Sequence, residues 1–160
     1  MNFEIVKEHF EFNIQKKTLS ELSIDKISNE SLIKSSVESF DYDTINYSIK
    51  TTDTLFFINS NIIFVEFKKG ESIKDIDLRL KATESILSFL NYIIGQKLTE
   101  FVCFPNDVFQ LYFVYDRNNI NATQVTHLSN IERKLQKEYC NILSKYRILP
   151  QDSFKKIFKI

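Results

Sequence analysis

Two almost continuous apolar runs, Thr54-Leu55-Phe56-Phe57-Ile58 and Ile62-Ile63-Phe64-Val65, stand on either side of Asn59-Ser60-Asn61. Nothing else in the chain constrains its fold as strongly. Short apolar runs bounded by turn formers read as strands, and the lack of polar alternation predicts burial on both faces of a sheet. The pair is therefore expected to form a buried hairpin. Asp53 precedes its first strand and Glu66-Phe67-Lys68 ends its second. Charges at the mouth of an apolar hairpin require compensation, because an unpaired charge taken out of water is costly.

The turn decides what those charges can do together. Residues two apart on a strand share a face, so Glu66 and Lys68 project together and Phe67 projects to the other side. A two-residue turn at Asn59-Ser60 sets Asp53 opposite Glu66, and one at Ser60-Asn61 sets it opposite Lys68. Both put the three side chains on one face. A three-residue turn would send Asp53 to the opposite face. With 12 Glu and 17 Lys in 160 residues, chance supplies about one Glu-x-Lys triplet, so the context carries the signal. Glu132-Arg133-Lys134 is a second such triplet, and it falls in a predicted surface helix with no hairpin partner.

On one face, two carboxylates about 5 Å apart on adjacent strands can share a hard cation such as Mg²⁺. Phosphodiester hydrolysis needs a deprotonated water and relief of the developing negative charge. A carboxylate-held divalent ion and a neighbouring ammonium supply both. Asp53 and Glu66 are then candidate metal ligands, and Lys68 the group that positions water or offsets charge. The competing reading is a salt-bridged trio closing a strand end.

Around the hairpin, periodicity predicts further elements. Phe10-Glu11-Phe12-Asn13-Ile14 alternates like a short strand. Leu32, Ile33, Val37 and Phe40 recur at helical spacing after a candidate N-cap at Asn29 or Ser31. Ile45, Tyr47 and Ile49 alternate as a strand. From Asp75 to Ile94 the stripe Ile76, Leu80, Leu87, Leu90 and Ile94 predicts a long amphipathic helix packed on the sheet. Phe101–Phe104 and Val108–Tyr115 read as strands, and one or two helices are expected from about His127 to Tyr146. Helix, three strands, helix and strand in this order predict an α/β arrangement with a mixed sheet.

The segment Thr52–Ile58 followed by Ile62–Gly70 resembles the signature of the PD-(D/E)XK nuclease superfamily. There an Asp opens the second core strand, the third strand ends in Glu-x-Lys, and a helix follows. Thr52 stands where the motif has Pro. The resemblance implies a restriction-endonuclease-like αβββαβ core with a mixed central sheet flanked by helices. That core would cover about residues 30–116 of a single domain spanning 1–160, with a C-terminal helical segment at about 127–160. It further implies a Mg²⁺-dependent nuclease, Mn²⁺ being able to substitute, with Asp53 and Glu66 as ligands beside Lys68. Some branches add an acidic residue from the first helix, where Glu38 is the best-placed match and Asp41 the weaker. Lys69, Arg79 and Lys81 are candidate substrate contacts. DNA is favoured over RNA, and the nearest likeness is to short stand-alone members of defence systems or mobile elements.

The remaining sequence bounds this reading. Apolar residues make up 43% of the chain and aromatics 14%, enough to exclude a charge-dominated disordered segment. Charge near the N-terminus and the lack of a long apolar segment predict a soluble, cytoplasmic protein away from the membrane. Cys103 and Cys140 are far apart and are expected as reduced, partly buried thiols, while His9 and His127 are equally isolated. From Glu132 onward 8 basic residues face 3 acidic ones, a segment of net +5 that could follow phosphates or form a solvated helix face. Little chain is left for target recognition, which homodimerisation would remedy. The rival functions are a catalytically silent nuclease-like binding or regulatory module, and a subunit active only in an assembly.

Overall fold

The computed structural model describes residues 3–45, 49, 51–70, 73–98 and 108–160. Strand β5 (Thr54–Ile58) and strand β6 (Asn61–Lys68) form the expected hairpin. Its turn residues Asn59 and Ser60 have φ of 48° and 60°, the left-handed pair that a two-residue hairpin turn requires. The register runs from Ile58↔Asn61 to Thr54↔Val65.

Around this hairpin lies a mixed sheet with six strands among the described residues. Its order is β1 (Lys16–Thr18), β4 (Glu38–Asp41), β5, β6, β7 (Phe109–Tyr115) and β8 (Lys145–Pro150). The first four strands pair antiparallel, and β6, β7 and β8 run parallel. Helix α3 (Asp75–Gly95) makes the crossover from β6 to β7, the kind of connection that parallel neighbours need. Helices α1 (Phe3–Asn13), α3 and α4 (Ala122–Glu138) cover one face through Phe10, Leu78, Phe89, Leu128 and Leu135. The other face is closed by α2 (Leu19–Leu22), Leu32, Ile33 and α5 (Gln151–Phe158). A two-stranded ribbon, β2 (Ile24–Asp25) with β3 (Glu30–Ser31), stands apart from the sheet. The fold is thus α/β with a mixed central sheet flanked by helices. Among the described residues no helix is long and apolar enough to cross a membrane.

Several expectations are corrected. Phe10–Ile14 is not a strand: it lies largely in α1, which buries Phe3, Val6 and Phe10 at helical spacing and leaves Phe12 87% exposed. The helix expected over Leu32–Phe40 is absent. Leu32 and Ile33 serve one face of the sheet and Phe40 the other. The intervening backbone is engaged elsewhere, with the Leu19 amide donating to Val37 O and the Ser20 amide to Ser35 O. Helix α3 forms where expected but turns the other way. Leu78, Ala82, Ile86, Phe89 and Ile93 are buried, whereas Ile76, Leu80, Leu87 and Ile94 are exposed and Leu90 is partly buried. Both stripes have helical spacing. The inner one contains the small, fully buried Ala82 and Ser85.

The C-terminal segment is not wholly helical, because β8 follows α4. Along β8 the Tyr146 amide donates to Gln136 Oε1 (2.6 Å) and the Ile148 amide to Glu132 Oε2 (2.5 Å). Cys140 is exposed rather than partly buried. The expected strand at Phe101–Phe104, Cys103, and most of the expected strand at Ile45–Ile49 lie outside the described residues.

Helix α3 is fastened to the chain entering β5. The Thr52 amide donates to Ser85 Oγ (2.9 Å), and the Tyr42 hydroxyl donates to Ser85 O (2.7 Å), all in a buried setting. Ser85→Ala would leave the Thr52 amide without its acceptor. The substitution is expected to lower stability by about 1–3 kcal/mol, the cost of an unsatisfied buried donor. Denaturant melts read this as a lower midpoint at unchanged slope. A neutral result would mean that this bond does not hold the helix.

Candidate active site

Continuing the hairpin register one step beyond Thr54↔Val65 sets Asp53 across from Glu66. Sheet parity agrees: Leu55, Ile62 and Phe64 belong to the core beneath α3, while Ile63 and Val65 belong to the opposite core. Asp53, Glu66 and Lys68 therefore share the α3 face, at the end of β6 beside the parallel strand β7. All three line a cavity of about 330 Å³ whose far wall is the β2–β3 ribbon, through Ile24, Asp25, Lys26 and Ile27. Glu66 and Lys68 also line a second cavity of about 300 Å³ with Asp77, Leu80, Lys81 and Phe113. The site is open on two sides.

The carboxylates are held by different means. Asp53 Oδ2 accepts the Phe67 amide at 2.6 Å. This bond ties the entry of β5 to the end of β6. Glu66 is only 8% exposed. Its Oε2 lies 2.9 Å from Lys81 Nζ as an ion pair. Burial raises the pKa of Asp53 well above its ordinary value and the negative charge of Glu66 adds to the shift, with Lys81 and the Phe67 amide opposing. Burial likewise raises Glu66, to about 7, despite the opposing charge of Lys81. Two neighbouring carboxylates in low dielectric disfavour full ionisation, and a cation would relieve both.

Such a pair suits a hard divalent ion. Mg²⁺ is commonly held by one or two carboxylates and keeps several waters. Glu66 supplies a buried carboxylate of the right kind, whose Oε2 is met by the Lys81 ammonium. Among the described residues no group of three or more His, Cys, Asp or Glu side chains forms a metal cluster, so the donor set rests on this pair.

The other sequence candidates divide. Lys81 reaches the site, but as the ion-pair partner of Glu66 and a donor to Thr51 O, rather than as the accessible phosphate contact expected of it. Lys69 also lines the ribbon cavity, where it binds Glu30 and Ser28 Oγ and fastens the ribbon to the end of β6. Arg79 is not brought to the site, because Asp75 (3.1 Å) and Glu138 (2.6 Å) hold it on the α4 side. Glu38 starts β4 instead of belonging to a helix. The β4–β5 register, Phe40↔Leu55, carries it toward the turn end of the hairpin, away from Asp53. Asp41 is paired with Lys17 at 2.5 Å.

Asp43 escaped the sequence reading. It accepts Thr51 Oγ1 at 3.0 Å, and its charge raises both Asp53 and Glu66. Finding it requires knowing that Asp41 pairs with Thr54, so that the residues after β4 fall beside those before β5.

The raised pKa of Glu66 has a stability consequence. Between the ordinary value of 4.5 and about 7, folded Glu66 binds more proton than unfolded Glu66. Its contribution is complete below that window and is lost as pH rises through it. In chelator, the protein is expected to melt lower at about pH 8 than at about pH 5.5, and Glu66→Gln should flatten this dependence. An unchanged slope in the variant would assign the effect to other groups.

Comparison of the chain with protein-family models, with curated proteins and with solved structures finds no match.

Proposed function

We propose that this protein is a metal-dependent nuclease that hydrolyses phosphodiester bonds, with DNA the favoured substrate, built on a restriction-endonuclease-like core. One observation carries the reading: two mutually repelling carboxylates, the half-buried Asp53 and the buried Glu66, meet at adjacent strand ends beside Lys68 and line one cavity with it. A salt-bridged trio would have paired Asp53 with Lys68. Instead Asp53 binds a backbone amide and Glu66 pairs with Lys81.

The order of elements supports the same reading. Helix α1, strands β4, β5 and β6, helix α3 and strand β7 follow one another as helix, three strands, helix and strand. Strands β1, β2 and β3 and helix α2 are inserted between the first helix and β4. The strand relations are antiparallel twice and then parallel.

Asp53 and Glu66 would hold Mg²⁺, or Mn²⁺ in its place. When bound, the ion supplies Lewis acidity and a water of lowered pKa. Lys68 is exposed at the end of β6 and lines both cavities, so its ammonium can orient the attacking water or meet the charge developing on phosphate oxygen. The hydrogen bond from the Phe67 amide keeps Asp53 facing Glu66. Burial under α3 strengthens these electrostatic contacts by lowering the local dielectric.

Incubation with linear, circular and branched DNA, and with RNA, tests the proposal. Cleavage is expected with Mg²⁺, is abolished by chelator, and falls about 10²-fold or more in Lys68→Ala. Binding without cleavage under every condition would identify a silent module instead. Thermal melts give a separate check on the ligands. Asp53→Asn keeps an oxygen acceptor for the Phe67 amide while removing repulsion, so its stability in chelator should equal or slightly exceed wild type. Mg²⁺ should raise the wild-type Tm and raise that of the variant much less. A large destabilisation of Asp53→Asn in chelator would make the carboxylate structural.

A further inference from the structure

Lys81 combines features that a plain surface ion pair lacks. Its side chain is 20% exposed and that of Glu66 11%, so the pair is largely out of water. The ammonium lies 2.9 Å from Glu66 Oε2 and donates to the backbone carbonyl of Thr51. Asp53 and Asp43 also act on it electrostatically. Burial works against its charge, but the acidic neighbours outweigh burial and hold its pKa above the ordinary value. Lys81 thus faces the charge of Glu66, Asp53 and Asp43, with Lys68 also acting on Glu66, and it rests against two oxygens, one carboxylate and one carbonyl, of the kind that ligate hard metal ions.

The helix geometry makes this position deliberate. Ser85 lies one turn beyond Lys81 on the same side of α3 and is fixed to the Thr52 amide. The helix is thereby held where the Lys81 stem spans from α3 to the end of β6. The stem is flexible, and the cavity of about 300 Å³ that Lys81 lines with Lys68 and Asp77 lies beside it. Rotation about its four-carbon stem is the motion that would carry the ammonium into that cavity.

We propose that Lys81 is the resident counter-ion of the site: its ammonium neutralises Glu66 and Asp53 before a divalent cation arrives, is displaced when the cation binds, and turns into the adjoining cavity to meet the anionic substrate. The inference rests on the divalent-ion reading above and adds a competition between two cations. It also reconciles the internal pairing of Lys81 with the phosphate contact expected from its sequence position. The two roles belong to successive states.

Calorimetric titration of Mn²⁺ into wild type, Lys81→Met and Lys81→Gln tests the competition. Both variants should bind Mn²⁺ about tenfold tighter or more, because a like charge has been removed within a few ångströms of the ligand. In chelator both should melt lower than wild type, with Mg²⁺ restoring more stability to them than it adds to wild type. Lys81→Gln retains a donor for Thr51 O and serves as the test if Lys81→Met fails to fold. Equal or weaker Mn²⁺ binding in the folded variants would overturn the counter-ion role while leaving the divalent-ion reading intact. Absence of Mn²⁺ binding in all three proteins would overturn both.

Reductive methylation, read residue by residue by mass spectrometry, tests displacement without reference to activity. Lys81 should react slowly in chelator and faster in saturating Mg²⁺. Protection that persists in Mg²⁺ would overturn displacement.

Discussion

The turn at Asn59-Ser60 holds both residues at positive φ, and this local geometry sets the parity of the hairpin. Side chains alternate across a strand, so one additional turn residue would exchange the faces of β5 relative to β6. The observed register puts Leu55 and Phe64 together under α3 and sets Asp53 across from Glu66. Core and site therefore depend on one short connection. Asn and Ser accept it at some conformational cost, since neither has the freedom of glycine.

A second constraint concerns charge. The sheet buries Glu66 deeply enough that its ionisation is opposed, and the structure answers with a lysine from another layer. That answer depends on the placement of α3, which the hydrogen bonds from the Tyr42 hydroxyl and the Thr52 amide to Ser85 fasten. Burying an ion pair gives uncertain net stability, because desolvation offsets much of the attraction. The arrangement makes better sense as a charge store whose balance can be altered.

The hairpin and its three charged residues were legible in the sequence because their signals are local: apolar runs, a turn between them, and spacing of two. Strand β7 and the position of α3 were legible for the same reason. The face of α3 was not, because Ile76, Leu80 and Leu87 repeat as regularly as Leu78, Ala82 and Phe89, and tertiary tethers such as those at Ser85 and Leu78 distinguish the stripes. Phe10 and Phe12 imitated a strand although a helix buries only the first. Leu32, Ile33 and Phe40 imitated a helix although they serve opposite faces of the sheet. Asp43 depended on a strand pairing that the mistaken helix concealed. The two Glu-x-Lys triplets separate as secondary structure dictates. On β6 the pair shares a face, whereas on α4 Glu132 turns to Arg147 and β8 while Lys134 turns to Asp75.

The hydrogen bonds from Tyr146 and Ile148 to α4 bear on how this molecule meets others of its kind. Among the described residues, strand β8 is the last strand of the sheet, and an open edge of this sort is a template for intermolecular strand addition. Gln136 and Glu132 already occupy two of its amides, and Pro150, at its end, has no amide to offer. The opposite edge, β1, is three residues long. The sheet is thus closed to growth at one border by side chains of its own helix and kept short at the other, a safeguard against fibrous self-association.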